Sequence, residues 1–221
     1  MSSRRTLNQS EGSSNPATKF LQWKSNDKAF AYYDKAKGEN IKVALPFKFQ
    51  FLEHFHTIKG WNDASESGIY SNEVKFISKE PLTVKAFKKS GNIAEGLYSD
   101  IKSNVNSAGG HYSRSVYVID ESGNIINLQL KGAVVSAYSD FMKNNENKIE
   151  GAWMVINQAE DKKKGSVKFS VPVFEIGDSF TSDEMALANE KYIEVANYFN
   201  KDTKGVEVED TEIVEDDDLA F

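Results

Sequence analysis

Lysine and aromatic side chains alternate with apolar ones along several segments that have the pattern of β-strands. Cations that follow a phosphate backbone, beside exposed rings that stack on bases, make up the chemistry of single-strand nucleic-acid binding. The candidate residues lie opposite an apolar strand face, or border a strand: Lys42, Lys48, Trp61, Lys85, Phe87, Lys89, Tyr112, Arg114 and Tyr117. Tyr70 lies in the same loop-rich stretch as Trp61. The pattern predicts a surface for a polyanion, although any one of these rings could instead belong to the core.

Motifs for catalysis are missing from the sequence. There is no GxxxxGK[ST], no GxGxxG after a strand, no HExxH and no GxSxG. His54 and His56 would point the same way from a strand, but no third metal ligand lies nearby, so we interpret them as polar residues at a strand end. The chain has no Cys, which excludes disulfides and thiolate zinc sites. We therefore predict a protein that is not an enzyme and that carries no metal and no cofactor.

The net charge of −6 is concentrated at the C-terminus. Residues 206–221 contain eight Asp and Glu and no Lys or Arg. The rest of the chain then has 25 of the 33 acidic residues against 27 basic ones, so residues 1–205 carry about +2. This distribution predicts a weakly basic body with an acidic tail.

An apolar anchor ends the acidic tail. A flexible chain end cannot bury a leucine and a phenylalanine in its own core, whereas a partner protein can offer a basic patch and an apolar pocket. The residues that we predict to dock such a partner are Asp216, Asp217, Asp218, Leu219 and Phe221. The same tail could fold back on the basic body and compete with nucleic acid, or it could be a solvated appendage only.

These candidate residues need a fold that positions them. Residues 1–18 are rich in Ser, Asn and Gly and predict a disordered head, followed by one domain at 19–204 and a disordered partner-docking tail at 205–221. Period-2 patterns predict a long strand over 41–51 that bends near Leu52, and shorter strands over 74–78 and 82–87. Further strands are expected over 115–120 and 125–131, and in a hairpin of 152–157 with 167–176 across a basic loop at 162–165.

Helices are predicted where apolar residues recur at helical spacing. The first begins at an Asn92–Glu95 capping box and stops at Gly109, the second covers 133–143, and the third begins near Thr181. The third helix is expected to pack through Met185, Ala188, Tyr192, Val195 and Phe199. Three strands, a helix and two strands is the element order of an oligonucleotide/oligosaccharide-binding (OB) barrel. We predict an α+β fold: an OB-fold-like five-stranded barrel with extra helices and a hairpin.

The last six residues, Asp-Asp-Asp-Leu-Ala-Phe, resemble the acidic tip of bacterial single-stranded DNA-binding proteins. Phage single-stranded DNA-binding proteins carry similar tails with a terminal Phe. The body is similar to the phage group over roughly 70–141, in Ser71–Val74, Ala94–Tyr98 and Leu130–Ala133. The tip has Leu-Ala where the bacterial pattern has Ile-Pro, and the lack of Cys sets the chain apart from the zinc-containing phage version.

The resemblance implies a phage-type single-stranded DNA-binding protein that coats and protects DNA during replication, recombination and repair. It implies a tail that recruits replication proteins such as a polymerase, helicase or primase, and a location in the bacterial host cytoplasm. We expect no membrane partner and leave a homo-oligomer open. The alternatives are an acidic-tailed interaction or chaperone protein that does not bind DNA, and a nuclease without a recognisable motif.

Overall fold

Residues 14–89 and 91–201 are described by the structure, a computed structural model. Eleven strands form one mixed sheet. In chain order the strands are β1 (Phe20–Lys24), β2 (Ala29–Asp34), β3 (Glu39–Lys42), β4 (Phe47–Asn62), β5 (Ser67–Ser71), β6 (Leu82–Ala86), β7 (Ala94–Gly96), β8 (Gly110–Asp120), β9 (Ile125–Lys131), β10 (Ala152–Lys164) and β11 (Val167–Ser179). The helices are α1 (Tyr98–Ser107), α2 (Ala133–Asn144) and α3 (Ser182–Lys201), and a 3-10 turn at Ile149–Gly151 precedes β10.

The fold is α+β as predicted, but the five-stranded barrel is wrong because the sheet stays open. Its main path runs β3-β2-β1-β9-β8-β4-β5-β6-β7. A closed barrel would need β9 to pair with the β5–β6 side of the sheet. Instead the outer edge of β9 pairs in parallel with β1, and the outer edge of β6 pairs with β7. Both edges that closure requires are therefore already occupied.

β4 organises the sheet because it pairs along both of its edges. One edge pairs with β8 over Phe49 to Gly60; the other pairs with β10 at its start and with β5 at its end. The register shifts between Phe51 and Glu53, which confirms the predicted bend near Leu52 as a β-bulge. The predicted 41–51 strand is divided in two, since Pro46, which has no N–H for a ladder, separates β3 from β4.

Three apolar clusters hold the elements together. The central core packs β1, β4, β8, β9 and the β10–β11 hairpin against α2 and includes the fully buried Phe30 and Tyr138. A second cluster packs α3 on the opposite face of the sheet through Ala188 and Val195. A third packs α1 inside the curve of β4, β5 and β6, with Ile58, Ile69 and Val84 fully buried. Full burial of such a side chain stabilises the fold by about 1.5–3 kcal/mol, which locks the register of each strand.

The β8–β9 hairpin, α2 and the start of α3 confirm the prediction. β8 and β9 pair from Ser113–Lys131 to Ile119–Ile125. At the start of α3, the Glu184 N–H donates to Thr181 Oγ1 (3.3 Å) and the Thr181 N–H donates to Glu184 Oε2 (2.7 Å), which is a capping box. The predicted packing stripe of α3 is partly wrong, because Met185 and Tyr192 are exposed.

The predicted first helix begins too early. Gly96 has φ of +140°, which a helix cannot contain, and residues Ala94–Gly96 pair with β6 as a strand. Asn92 Nδ2 does donate to Glu95 Oε2 (2.6 Å), but α1 begins only at Tyr98. The pattern at 92–95 has the composition of a capping box without a helix to cap.

Two other segments differ from the prediction. Of the strand expected over 74–78, Val74 alone pairs, with His56, and Phe76 opens a turn that the Glu80 carboxylate holds by accepting from the Lys75 and Phe76 N–H groups. The basic segment 162–164 is not a loop but the end of β10, and the turn is Gly165-Ser166. There Lys163 lies directly opposite Lys168.

Candidate nucleic-acid interface

A row of four polar side chains crosses four neighbouring strands on the outer face of the sheet. Cα partners in an antiparallel sheet project to the same face. His111 of β8 is opposite Lys59 of β4, Lys59 is opposite Tyr70 of β5, and Tyr70 is opposite Lys85 of β6. Adjacent strands lie about 4.8 Å apart, so Tyr70 has one lysine position at that spacing on each side.

Two further rings flank this row. Trp61 lies two residues beyond Lys59 and opposite Gly68, and the Phe87 N–H donates to the Gly68 carbonyl (3.1 Å). Gly68 lies between these two positions and has no side chain. The Phe87 ring stacks on Tyr70 with centroids 4.4 Å apart and planes at 26°. We call the surface formed by Lys59, Trp61, Tyr70, Lys85, Phe87 and His111 the ring–lysine face.

The core beneath fixes which residues reach this face. Ile58, Ile69 and Val84 alternate with the ring–lysine residues and are completely buried against α1. Because side chains alternate along a strand, the ring–lysine residues project to the opposite face, where Lys85 is exposed and the other five are half-buried. Gly109, with φ of +92°, allows the end of α1 to approach β4 so closely that a Cβ there would lie 2.0 Å from the Trp61 carbonyl oxygen.

Lys59 and His111 in this row both have shifted pKa values. Burial lowers the pKa of Lys59; the nearby Glu73 carboxylate opposes this change, and Lys131 adds a smaller lowering. Burial, followed by the charge of Lys131, lowers the pKa of His111, so its ring is mostly neutral at pH 7.

Of the residues predicted from sequence, the structure brings Trp61, Lys85 and Phe87 together on this face, and the exposed Lys89 follows in the turn after β6. Lys42 and Lys48 lie elsewhere. Lys42 is on β3 and forms an ion pair with Asp27 (2.5 Å), and Lys48 pairs with Val155 at the far end of β4. They therefore do not belong to the ring–lysine face, and their contact with nucleic acid stays a prediction.

Tyr117 is the clearest correction. It is completely buried, its hydroxyl donates to Glu73 Oε2 (2.8 Å) and accepts from Asn15 Nδ2 (2.9 Å), and its ring meets Phe55 and Phe199 edge-on. It projects to the same sheet face as His111, since both have odd numbers on β8. α3 covers that face at Tyr117, so this ring cannot stack on a base.

Tyr112 and Arg114 lie on the opposite face. Tyr112 pairs with the buried Ile58, and Arg114 pairs with His56. They therefore do not contribute to the ring–lysine face. Lys59 and His111, which do, were missed by the prediction. The alternation of side chains from Ile58 to Trp61 is a local signal that could have placed Lys59 on this face. The position of His111 depends instead on pairing between strands that are distant in sequence.

The predicted head and tail fall largely outside the described residues. Residues 1–13 are not described, but residues 14–18 are, and there Ala17 is buried and the Thr18 N–H donates to the Ile125 carbonyl (2.8 Å). The docking residues of the tail, 216–221, also lie outside the described part of the chain. Within residues 14–89 and 91–201 there is no group of three or more His, Asp or Glu placed to hold a metal ion.

Comparison with protein-family models, with curated proteins and with solved structures finds no match to this chain. Among the described residues, no helix has both the length and the apolar character to cross a membrane.

Proposed function

We propose that this protein binds single-stranded DNA on the ring–lysine face and recruits replication proteins through its acidic tail. The observation that carries the first part is the row His111–Lys59–Tyr70–Lys85, which alternates cation-bearing and ring-bearing positions across four strands. Bases stack on any exposed aromatic ring, and phosphates attract any lysine, so such a row binds single strands with little sequence preference. The role is to coat exposed strands in phage-type replication, recombination and repair.

The arrangement favours single strands over duplex DNA. In a duplex both faces of each base are already stacked, so the Trp61, Tyr70 and Phe87 rings can contact bases only when these are unpaired. The binding energy is therefore expected from stacking and from phosphate neutralisation.

Replacing Phe87 by Ala tests the stacking part. We expect binding of oligo-dT to weaken by about 1–3 kcal/mol, the usual contribution of one base–ring stack, because Phe87 and Tyr70 form one stacked unit. Tryptophan fluorescence titration with oligo-dT, oligo-rU and a duplex of the same sequence measures the affinities and separates DNA from RNA preference.

Phe76→Ala is the matched control for this experiment. Phe76 is 55% exposed and has Lys79 Nζ 5.6 Å from its ring centroid, so it offers the same chemistry outside the ring–lysine face. Its substitution is expected to leave the affinity unchanged. Equal losses from both substitutions, or no loss from Phe87→Ala, would contradict the proposed surface.

The lysine part is tested by Lys85→Gln. Lys85 is exposed, and no ion pair is found for it among the described residues. If it contacts one phosphate, the slope of log K against log salt becomes shallower by about 0.7 in Lys85→Gln. Lys42→Gln removes the same charge from a lysine that is already paired with Asp27, and its slope is expected to match that of the unchanged protein. A flat salt response of the unchanged protein would count against nucleic-acid binding and favour an interaction protein that does not bind DNA.

A further inference from the structure

A second polar cluster lies on the other face of the β4–β8 pair, between α1 and α2. It consists of His54 and His56 on β4, Tyr112 and Arg114 on β8, and Tyr138 on α2. The register places His56 directly opposite Arg114. We call these five residues the Arg114 cluster. The Tyr98 ring at the start of α1 lies 5.8 Å from that of Tyr112 and forms one side of the cluster.

Hydrogen bonds connect the cluster in one chain. Arg114 donates from Nη1 to His54 Nε2 (3.1 Å) and from Nε to Tyr112 Oη (3.2 Å). His54 Nδ1 lies 3.1 Å from Tyr138 Oη, and His56 Nδ1 lies 2.6 Å from Tyr112 Oη. Since a guanidinium only donates, His54 accepts at Nε2 and carries its proton on Nδ1, which donates to Tyr138. Tyr112 accepts from Arg114 and also hydrogen-bonds with His56 Nδ1.

The histidines and Tyr138 beside Arg114 are neutral, and the carboxylates of Glu53 and Glu80 lie near enough to oppose the lowering of the His54 and His56 pKa values, respectively. Burial, and then the Arg114 charge, lower the pKa of His54 to about 4, and burial also lowers the pKa of His56. Burial holds the pKa of Tyr138 far above its usual value. The nearby carboxylate of Glu53 is engaged with Lys75 at 2.5 Å. Among residues 14–89 and 91–201, no carboxylate lies within ion-pair distance of Arg114.

Arg114 is thus a half-buried permanent charge without a counter-ion in the part of the chain that the structure describes. Two of its N–H groups are used within the cluster, and its remaining N–H groups have no acceptor among the described residues. Partial removal of a cation from water has a free-energy cost that only an opposite charge or water can offset.

We infer that the Arg114 cluster is a receptor for a phosphate oxyanion, separate from the ring–lysine face. The guanidinium fork matches two phosphate oxygens, and its orientation is fixed in advance by His54 and Tyr112. Tyr98 and Tyr112 offer ring faces to a base attached to that phosphate. Two sources share this chemistry: a phosphodiester within a strand, and a phosphomonoester at a 5′ end or on a free nucleotide. The receptor is on the opposite sheet face from the ring–lysine row, so either can exist without the other.

The three histidines of the chain make this testable by proton NMR. His54 and His56 border Arg114, whereas His111 belongs to the ring–lysine face. The full chain is titrated at neutral pH with inorganic phosphate, with sodium chloride of equal ionic strength, and with thymidine monophosphate. We expect both phosphates, but not chloride, to cause saturable shifts of the His54 and His56 ring-proton signals. Inorganic phosphate is expected to leave the His111 signals unshifted.

Oligo-dT with and without a 5′-phosphate distinguishes the two sources. If a phosphodiester occupies the receptor, both oligonucleotides shift His54 and His56; if a monoester does, only the 5′-phosphorylated one shifts them. Shifts of His111 report the ring–lysine face independently. A His111 that does not respond to either oligonucleotide would oppose the proposed function while leaving the receptor intact.

Arg114→Gln is expected to weaken phosphate binding at least tenfold, whereas Lys102→Gln, which removes one exposed charge from α1, leaves it unchanged. Tyr112→Phe keeps the ring but frees Arg114 Nε, and a loss of several-fold is expected; this variant also serves if Arg114→Gln does not fold. Shifts that chloride reproduces, or the same phosphate affinity in the Arg114 or Tyr112 variant as in the unchanged chain, would overturn the receptor.

Discussion

Replacement of Tyr117 by Ala is expected to lower the free energy of unfolding by about 3–5 kcal/mol, the range for large aromatic truncations in cores. The ring is completely buried between Phe55 and Phe199, which join β4 to α3. Its loss leaves a cavity there and removes the acceptor of the Asn15 amide. Urea unfolding followed by circular dichroism gives the change as a shift of the midpoint at constant slope.

Tyr117→Phe separates the ring from its hydroxyl. The ring contacts remain, and the cost falls to about 1 kcal/mol because the lost hydrogen bonds to Glu73 and Asn15 are the main change. Neither substitution should alter oligo-dT affinity when measured well below the unfolding transition. A Tyr117→Ala protein with unchanged stability and weakened DNA binding would instead place this ring at the nucleic-acid surface.

Tyr117 also shows where the sequence pattern was sufficient and where it was not. The strand predicted over 115–120 begins at Gly110 in the structure, and the alternation along it puts Tyr112 and Arg114 on one face and Tyr117 on the other. It does not indicate which face is open. That depends on α3, whose packed residues Ala188 and Val195 come from the far end of the chain.

The sequence predicts correctly those elements that depend on residues close together in the chain. The β8–β9 hairpin, α2 and the capping box of α3 each depend on residues a few positions apart, and they form as expected. Barrel closure was predicted from the order of the elements, and this order does not indicate which strand edges pair with each other. No element was predicted for residues 20–40, yet β1 in this segment pairs with the edge of β9 and keeps the sheet open.

The residues of the candidate interface also differ in whether a local pattern could predict them. Lys85 and Phe87 followed from alternation within six residues, and both lie on the ring–lysine face. His111 joins that face only through the β4–β8 register, and no pattern near residue 111 indicates this. Lys42 also fits the alternation of lysine with apolar residues, but it forms an ion pair with Asp27 from the turn between β1 and β2.

Deletion of residues 210–221 is expected to change DNA affinity and partner recruitment in opposite directions. The deletion removes six carboxylates and no Lys or Arg, so the net charge moves from −6 to about 0. Affinity for oligo-dT should rise, most at low salt, because a polyanion tethered to the same molecule competes with DNA for the lysines. Capture of replication proteins should be lost, because the terminal aspartates and Phe221 form the proposed docking segment. Oligonucleotide titrations and pull-downs with purified polymerase, helicase and primase measure the two effects.

Phe221→Ala separates charge from the apolar anchor. All eight tail carboxylates remain, so oligo-dT affinity should equal that of the unchanged chain at every salt concentration. Partner binding should still fall by about 2 kcal/mol or more, as for other aromatic anchors that fill a pocket. The two tail variants therefore give different pairs of results: higher DNA affinity with no recruitment for the deletion, and unchanged DNA affinity with weak recruitment for Phe221→Ala. A deletion that leaves both properties unchanged would reduce the tail to a charged appendage and remove the basis for a recruiting role.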